Sequence, residues 1–299
     1  MTAYMDHKDL ANETIDAARA QEITDGVHRV MDEVAQAESA AGRAAGSVKL
    51  LAATKTRDVG EIMAAIDAGI RMIGENRPQE VAVKAAGLTR LCAERGFALG
   101  AAEAGPSVAN SANATTAATA ANNTAATSAA PTATAASAHI PFHLIGQLQS
   151  NKIGKVLPVV DTIESVDSID EAEKISRRAV ARGITVGVLL EVNESGEASK
   201  SGCDPAHAIL LAQRIGTLAG LELQGLMTIG AHVDDETTIR RCFAHLRKTR
   251  DQILDAGAPG TEHCAELSMG MTHDLALAIA EGATIVRVGT GVFGERAFI

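Results

Sequence analysis

The sequence has no tryptophan, one tyrosine and five phenylalanines, and aromatic residues make up 2% of its 299 residues. Hydrophobic residues still reach 46%. A sizeable core is therefore expected, built from aliphatic side chains and alanine. A basic excess is also lacking. The formal net charge is −10, which argues against nucleic acid as a partner, since that role leaves a basic stripe. It leaves room for a small anionic ligand, because a phosphate site is assembled locally from backbone N–H groups and one or two cations. Cys92, Cys203, Cys242 and Cys264 are scattered, and no C-x-x-C pair occurs. That spacing suits neither a metal centre nor a redox pair, so reduced, buried thiols and no metal are expected. Residues 1–20 carry Asp6, Lys8, Asp9, Glu13 and Asp16 and contain no apolar segment of the kind a secretory signal needs. No apolar run reaches membrane-spanning length. The expectation is a cytoplasmic protein without membrane contact.

What is present is an alternation. Ile15 to Ala44 has helical periodicity, with Ile23, Val27, Val30, Met31 and Val34 on one face. After this extra helix come eight strand candidates: Val48–Thr54, Arg71–Gly74, Phe142–Ile145, Thr162–Val166, Thr185–Val192, Leu223–Ile229, Ala265–Ser268 and Thr284–Val288. Helical patterns separate them, at Val59–Ala68, Pro78–Ala86, Asn151–Leu157, Ser168–Ala181, Pro205–Ala219, Thr237–Ala256 and His273–Glu281. Repeated βα units with apolar strands predict a parallel sheet covered by helices. Eight units point to closure as a single α/β domain, a (β/α)8 TIM-type barrel. An open doubly wound sheet is the competing arrangement. Residues 101–138 break the pattern. Between Leu99 and Ile140 the one larger apolar residue is Val108, among Ala, Thr, Asn and Ser. Such a segment buries too little apolar surface to offset its chain entropy, and it reads as a low-complexity, disordered insertion within the one domain spanning 1–299.

In a barrel of this kind functional residues follow the C-terminal ends of the strands. Lys55 directly follows the first strand, in Ala53-Thr-Lys-Thr56. It has two readings, a lysine reaching solvent or an amine held in the barrel mouth. Apolar walls would favour the neutral amine, the form that attacks an aldehyde. The loops after the seventh and eighth strands are the usual barrel phosphate site. They read Ser268-Met269-Gly270-Met271 and Arg287-Val-Gly289-Thr290 here. Ser268 and Thr290 offer hydroxyls, and Gly270 and Gly289 allow backbone N–H groups to approach closely. Arg287 either supplies a fixed charge or pairs with an acidic neighbour. A lysine facing a phosphate cup suits a phosphorylated aldehyde. Gly289-Thr-Gly-Val-Phe-Gly294 matches G-x-G-x-x-G, but five residues remain after it, too few for the helix, strand and acidic residue of a dinucleotide site. Asn76, in Gly74-Glu-Asn76, reads either as a contact to a ligand oxygen or as a helix cap ahead of Pro78. Ser150 or Asn151 reads as a cap for the helix that follows.

These motifs, in this order, resemble the pyridoxal phosphate homeostasis protein family. The resemblance is carried by Ala53-Thr-Lys-Thr56, Gly74-Glu-Asn76 with Gln79-Glu80, His143-Leu-Ile-Gly146 and Leu148-Gln-Ser-Asn-Lys152. It continues through Ser195-Gly-Glu197, Ser199-Lys-Ser-Gly202, Gly225-Leu-Met-Thr228, Leu267-Ser-Met-Gly-Met271 and Val286-Arg-Val-Gly-Thr290. It implies a barrel like the N-terminal domain of alanine racemase and pyridoxal 5′-phosphate bound to Lys55 as an internal aldimine. It implies a phosphate surrounded by Ser268, Gly270, Arg287, Gly289 and Thr290, with Met269 in the same turn and Asn76 near the ring. It also implies a binder that buffers or delivers the cofactor to apo-enzymes, with no catalytic residues. The chain departs from the family pattern at its Ala/Thr/Asn insertion, at Arg77-Pro78 and at Ile229-Gly-Ala-His232.

Two enzymes compete with that reading. An amino-acid racemase on this barrel takes a second base from a tyrosine on an extra β domain. The sequence runs only to Ile299, and its one tyrosine is Tyr4, so a binder is expected. A class I aldolase places its lysine near the sixth strand, and no lysine lies between Leu221 and Ile229. A monomer or weak dimer is expected.

Overall fold

A computed structural model describes residues 8–103, 138–197, 200–230, 233 and 235–295. Eight parallel strands close into a barrel. In chain order the strands are β1 (Lys49–Ala53), β2 (Ile73–Glu75), β3 (Phe97–Leu99), β4 (Ala138–Ile140), β5 (Phe142–Leu144), β6 (Thr162–Val166), β7 (Val186–Glu191), β8 (Leu221–Met227), β9 (Glu266–Ser268) and β10 (Ile285–Val288). The barrel runs β1-β10-β9-β8-β7-β6-β5-β2, while β3 and β4 pair with each other outside it. That outer pair was not foreseen. Most of the expected insertion, 104–137, lies outside the described residues, and β3 and β4 join its two flanks in parallel.

The helices are α1 (Ala17–Ala40), α2 (Val59–Asp67), α3 (Pro78–Glu94), α4 (Ile153–Val156), α5 (Ile169–Arg182), α6 (Ala208–Gly216), α7 (Glu236–Ala256), α8 (Leu275–Ala280) and α9 (Thr290–Phe293). α3 runs a further two turns past Ala86, because its helical face continues through Leu88 and Cys92, both fully buried. The pattern from Pro205 divides into a 3-10 turn, Pro205–His207, and α6. The expected caps at Asn76, Ser150 and Asn151 are not formed. The N-cap positions are Arg77 and Lys152, without side-chain capping bonds, and Pro78 occupies the first helical turn.

The apolar faces meet in one aliphatic layer between strands and helices, as periodicity predicts. α1 closes against α2, α8 and α9. Its buried face is Ile23, Gly26, Val27, Val30 and Val34, whereas Met31, expected there, is 43% exposed. Gly26 is required by close approach, since a Cβ would lie 2.2 Å from the Val292 carbonyl oxygen. Inside the barrel the filling divides. Leu51, Met72, Ile145 and Ile285 make a small apolar cluster, and His143, Glu164, Ser268 and Arg287 are buried beside it. All four cysteines are buried and free.

Candidate functional site at the barrel mouth

Parallel strands deliver every βα loop to the same end, so residues distant in sequence converge there. A cavity of about 800 Å³ opens at that end, within the range of roughly 300–1,000 Å³ usual for small-molecule sites. Lys55, Asn76, Arg287, Gly289 and Thr290 all line it. Lys55 and Gly289 follow directly paired strands, with Ala52 opposite Val288 in the register. Ile145, Ile229, Ile239, Met271 and Leu277 supply apolar walls.

The loop bearing Lys55 is held firmly. Lys84, fully buried, donates from Nζ to the Thr54 carbonyl at 2.9 Å, to Glu75 at 2.5 Å and to Glu80 at 2.8 Å. Glu80 in turn accepts the Thr56 N–H at 2.8 Å. The peptide groups on both sides of Lys55 are thus anchored to one buried ion cluster. Burial pushes the Glu75 carboxyl up, with the Glu80 charge adding to it and Lys84 opposing. Thr56 sits at φ 65°. A β-branched residue in the left-handed region costs on the order of 1–3 kcal/mol, and such strain collects at ligand sites. α2 starts just beyond, with a capping box between Asp58 and Glu61. Arg57 reaches across to the Gly294 carbonyl at 2.7 Å, tying this loop to the end of α9.

Three of the residues expected around the phosphate lie at the end of β9 and in the turn after it. Ser268, Met269 and Gly270 are buried and are not among the cavity's lining residues. The Ser268 hydroxyl donates to Glu164 at 2.6 Å and accepts from Arg287 at 2.8 Å. Gly270 shapes the turn instead. It lies at φ +93°, and a Cβ there would come within 2.5 Å of the Ala278 Cβ. Its carbonyl accepts the Arg287 N–H at 2.9 Å. Arg287 combines its two alternative readings. It lines the cavity and it faces acidic groups. Burial pulls its guanidinium below its ordinary range, and Glu164, Glu191 and Asp274 oppose that.

Sequence reasoning missed Glu164, Glu191 and the Lys84 cluster. The available signal for Glu164 was a carboxylate inside the buried strand Thr162-Ile-Glu-Ser-Val166. Glu80 and Lys84 have the spacing of a surface i,i+4 pair, and nothing in that spacing reveals full burial. Glu191 is 3% exposed at the end of β7. Burial and the nearby Asp167 push its carboxyl up to about 7. Among the described residues, no group of three or more metal-binding side chains is gathered, and no helix is long and apolar enough to cross a membrane.

The family described as alanine racemase, N-terminal domain, matches residues 31–297. Proteins named pyridoxal phosphate homeostasis protein match over nearly the whole chain. That of Vibrio cholerae is 33% identical over 92% of this chain and 96% of its own length, and that of Aquifex aeolicus is 32% identical over 90% and 96%. This chain belongs to the pyridoxal phosphate homeostasis protein family. Solved structures agree. A protein from Bifidobacterium adolescentis, described as unknown, is 72% identical, with a TM-score of 0.84 over 96% of this chain and all of that one. PipY of Synechococcus elongatus, solved with pyridoxal phosphate bound, is 30% identical with a TM-score of 0.63, over 87% of this chain and 100% of PipY. An alanine racemase of Clostridium difficile shares the fold at 13% identity and a TM-score of 0.60, over 92% of this chain and 58% of the racemase.

Proposed function

We propose that this homeostasis-family member binds pyridoxal 5′-phosphate in the barrel mouth and holds it as a Schiff base on Lys55. In this reading it buffers the cofactor in the cytoplasm and passes it to apo-enzymes, acting as a monomer or weak dimer and catalysing no reaction. The observation that carries the reading is the convergence of Lys55 with Arg287, Gly289 and Thr290 on one cavity. The groups present fit the cofactor's chemistry. Its aldehyde supplies an electrophile, and the Lys55 amine condenses with it, releasing water. Its phosphate finds hydroxyl and backbone N–H donors at Gly289 and Thr290, where α9 begins and the first helical N–H groups lack partners within the helix. Asn76 stands at the lining for a ring oxygen. The buried Ser268, Met269 and Gly270 contribute by shaping the turn beneath the phosphate. The name shared by the relatives supports storage over turnover.

The test is spectroscopic. Adding pyridoxal phosphate to the purified protein should produce the visible absorbance of a lysine-linked cofactor. Borohydride should then fix the cofactor to the peptide containing Lys55. Lys55→Ala should lose the covalent link and keep weaker, phosphate-dependent binding. A wild type that never gains the absorbance removes the reading. Amino-acid racemisation on the order of 1–10³ s⁻¹ would instead favour a racemase-like enzyme.

A further inference from the structure

A line of polar side chains crosses the barrel interior and links the mouth to a second cavity at the opposite end. The His143 Nδ1 lies 2.6 Å from Glu164 Oε1. Ser268 Oγ donates to Glu164 Oε2 at 2.6 Å. Arg287 donates through Nη1 to Ser268 Oγ at 2.8 Å and through Nη2 to the Thr228 carbonyl at 2.8 Å. Glu164 and Ser268 are fully buried, and His143 and Arg287 are 5% and 6% exposed. Arg287 lines the mouth. His143 lines the other cavity, of about 330 Å³, at the N-terminal ends of the strands.

The donor inventory sets the proton positions. Guanidinium can only donate, so the single Ser268 hydroxyl proton goes to Glu164. Burial alone would raise the Glu164 carboxyl, but His143, Arg287 and Ser268 together hold it below the ordinary carboxylate range. An ionised Glu164 accepts at both oxygens, so His143 donates from Nδ1 and its Nε2 is the nitrogen left for the lower cavity. The other groups facing that cavity are Lys49, His139, Asp161, Glu222, His263 and Glu266. Stability alone does not require this line. The neighbouring interior is filled by Leu51, Met72, Ile145 and Ile285, and buried ion networks are often replaceable by apolar packing at no cost.

We propose that His143 and Glu164 are positioning residues for the mouth: through Ser268 they hold and aim the Arg287 guanidinium, and proton exchange at His143 on the far side of the barrel is felt there. The functional consequence rests on the reading that Arg287 belongs to the cofactor site. The coupling itself does not, and it is measured first on the protein without cofactor. The pH profile of the His143 imidazole resonance should move upward in Arg287→Met, which removes a cation, and in Ser268→Ala, which removes a donor to the carboxylate. It should move downward in Glu164→Gln. Profiles unchanged in all folded variants overturn the proposal.

The second measurement is absorbance titration with pyridoxal phosphate between pH 5.5 and 8.5. Glu164→Gln should weaken binding by about ten-fold, on the scale of a lost charge-assisted bond. His143→Gln can keep a donor to Glu164. It should retain affinity within about two-fold of wild type and lose the part of the pH dependence that spans imidazole titration. His143→Leu should lose both. A His143→Gln protein with the wild-type pH profile overturns the proposal even if Glu164→Gln fails to fold. Coupled imidazole profiles in a protein that never gains the cofactor absorbance uphold the relay and defeat only the cofactor reading.

Discussion

The two ends of the barrel are both polar and each has a lysine beside β1, one opening the strand and one just past it, yet they are built on different terms. At the base, Lys49 opens β1 and pairs with Glu266 at 2.5 Å, and His139 faces Asp161 at 3.3 Å. Gln224 donates to Glu222 at 2.9 Å. Polar side chains there are paired with one another, Lys49 of β1 with Glu266 of β9, His139 of β4 with Asp161 ahead of β6, and Gln224 with Glu222 within β8. At the mouth, Lys55 lies just past β1 and shares the cavity lining with the Gly289 turn, the Thr290 hydroxyl, the Arg287 guanidinium and the carboxylates of Glu236 and Asp274. Its support comes from behind, from the Lys84 cluster. The difference lies in what leaves each end. The loops that leave the strands gather at the mouth, where they can be shaped around a ligand.

The comparison can be broken most directly at Lys84. Lys84→Met strands Glu75 and Glu80 without their buried cation. It should cost about 3–5 kcal/mol in chemical denaturation and reduce the Lys55-linked cofactor absorbance. An unchanged unfolding midpoint would mean that the mouth is not supported from behind. Gly270→Ala should come next. Its positive φ and the 2.5 Å approach to Ala278 should cost about 1–3 kcal/mol and weaken pyridoxal phosphate binding, read by titration.

Glu191 gives a test in pH. Its carboxyl is pushed up to about 7 in the folded protein, above its unfolded value of about 4.3. Between these values the folded state holds more protons, so stability falls as pH rises through that window and levels off above it. Glu191→Gln should therefore raise the melting temperature at pH 8 by a few degrees, about 2–4 °C per kcal/mol recovered, and leave it little changed near pH 4.5. An equal gain at both pH values would contradict the shift. The smallest effect belongs to the base. Lys49→Met removes an ion pair whose lysine is half exposed. It should change stability by less than about 1 kcal/mol and leave cofactor titration unaltered.

Much of the barrel was legible because it rests on local periodicity. All eight barrel strands fell where alternation and turn residues put them, within a residue or two. Lys55, Asn76, Arg287, Gly289 and Thr290 were legible because barrel topology sends strand ends to one face. The β3–β4 pair was not, since its partners are separated by a long, featureless segment. Met31 was misjudged because helical spacing allows a wider face than α1 has partners to cover.

The sequence by itself determined the family, the alternation of strands and helices, and the lysine and glycine turns at strand ends, since these depend on near neighbours and on motif order. Only the tertiary structure decided that Ser268 faces Glu164 and Arg287 and does not line the mouth. It alone decided that Lys84 is a fully buried ammonium, and that the barrel interior is half aliphatic and half a hydrogen-bonded line. Which partner a buried polar group finds depends on strands adjacent in space and far apart in the chain. Its burial has to be balanced there, where no local pattern records it.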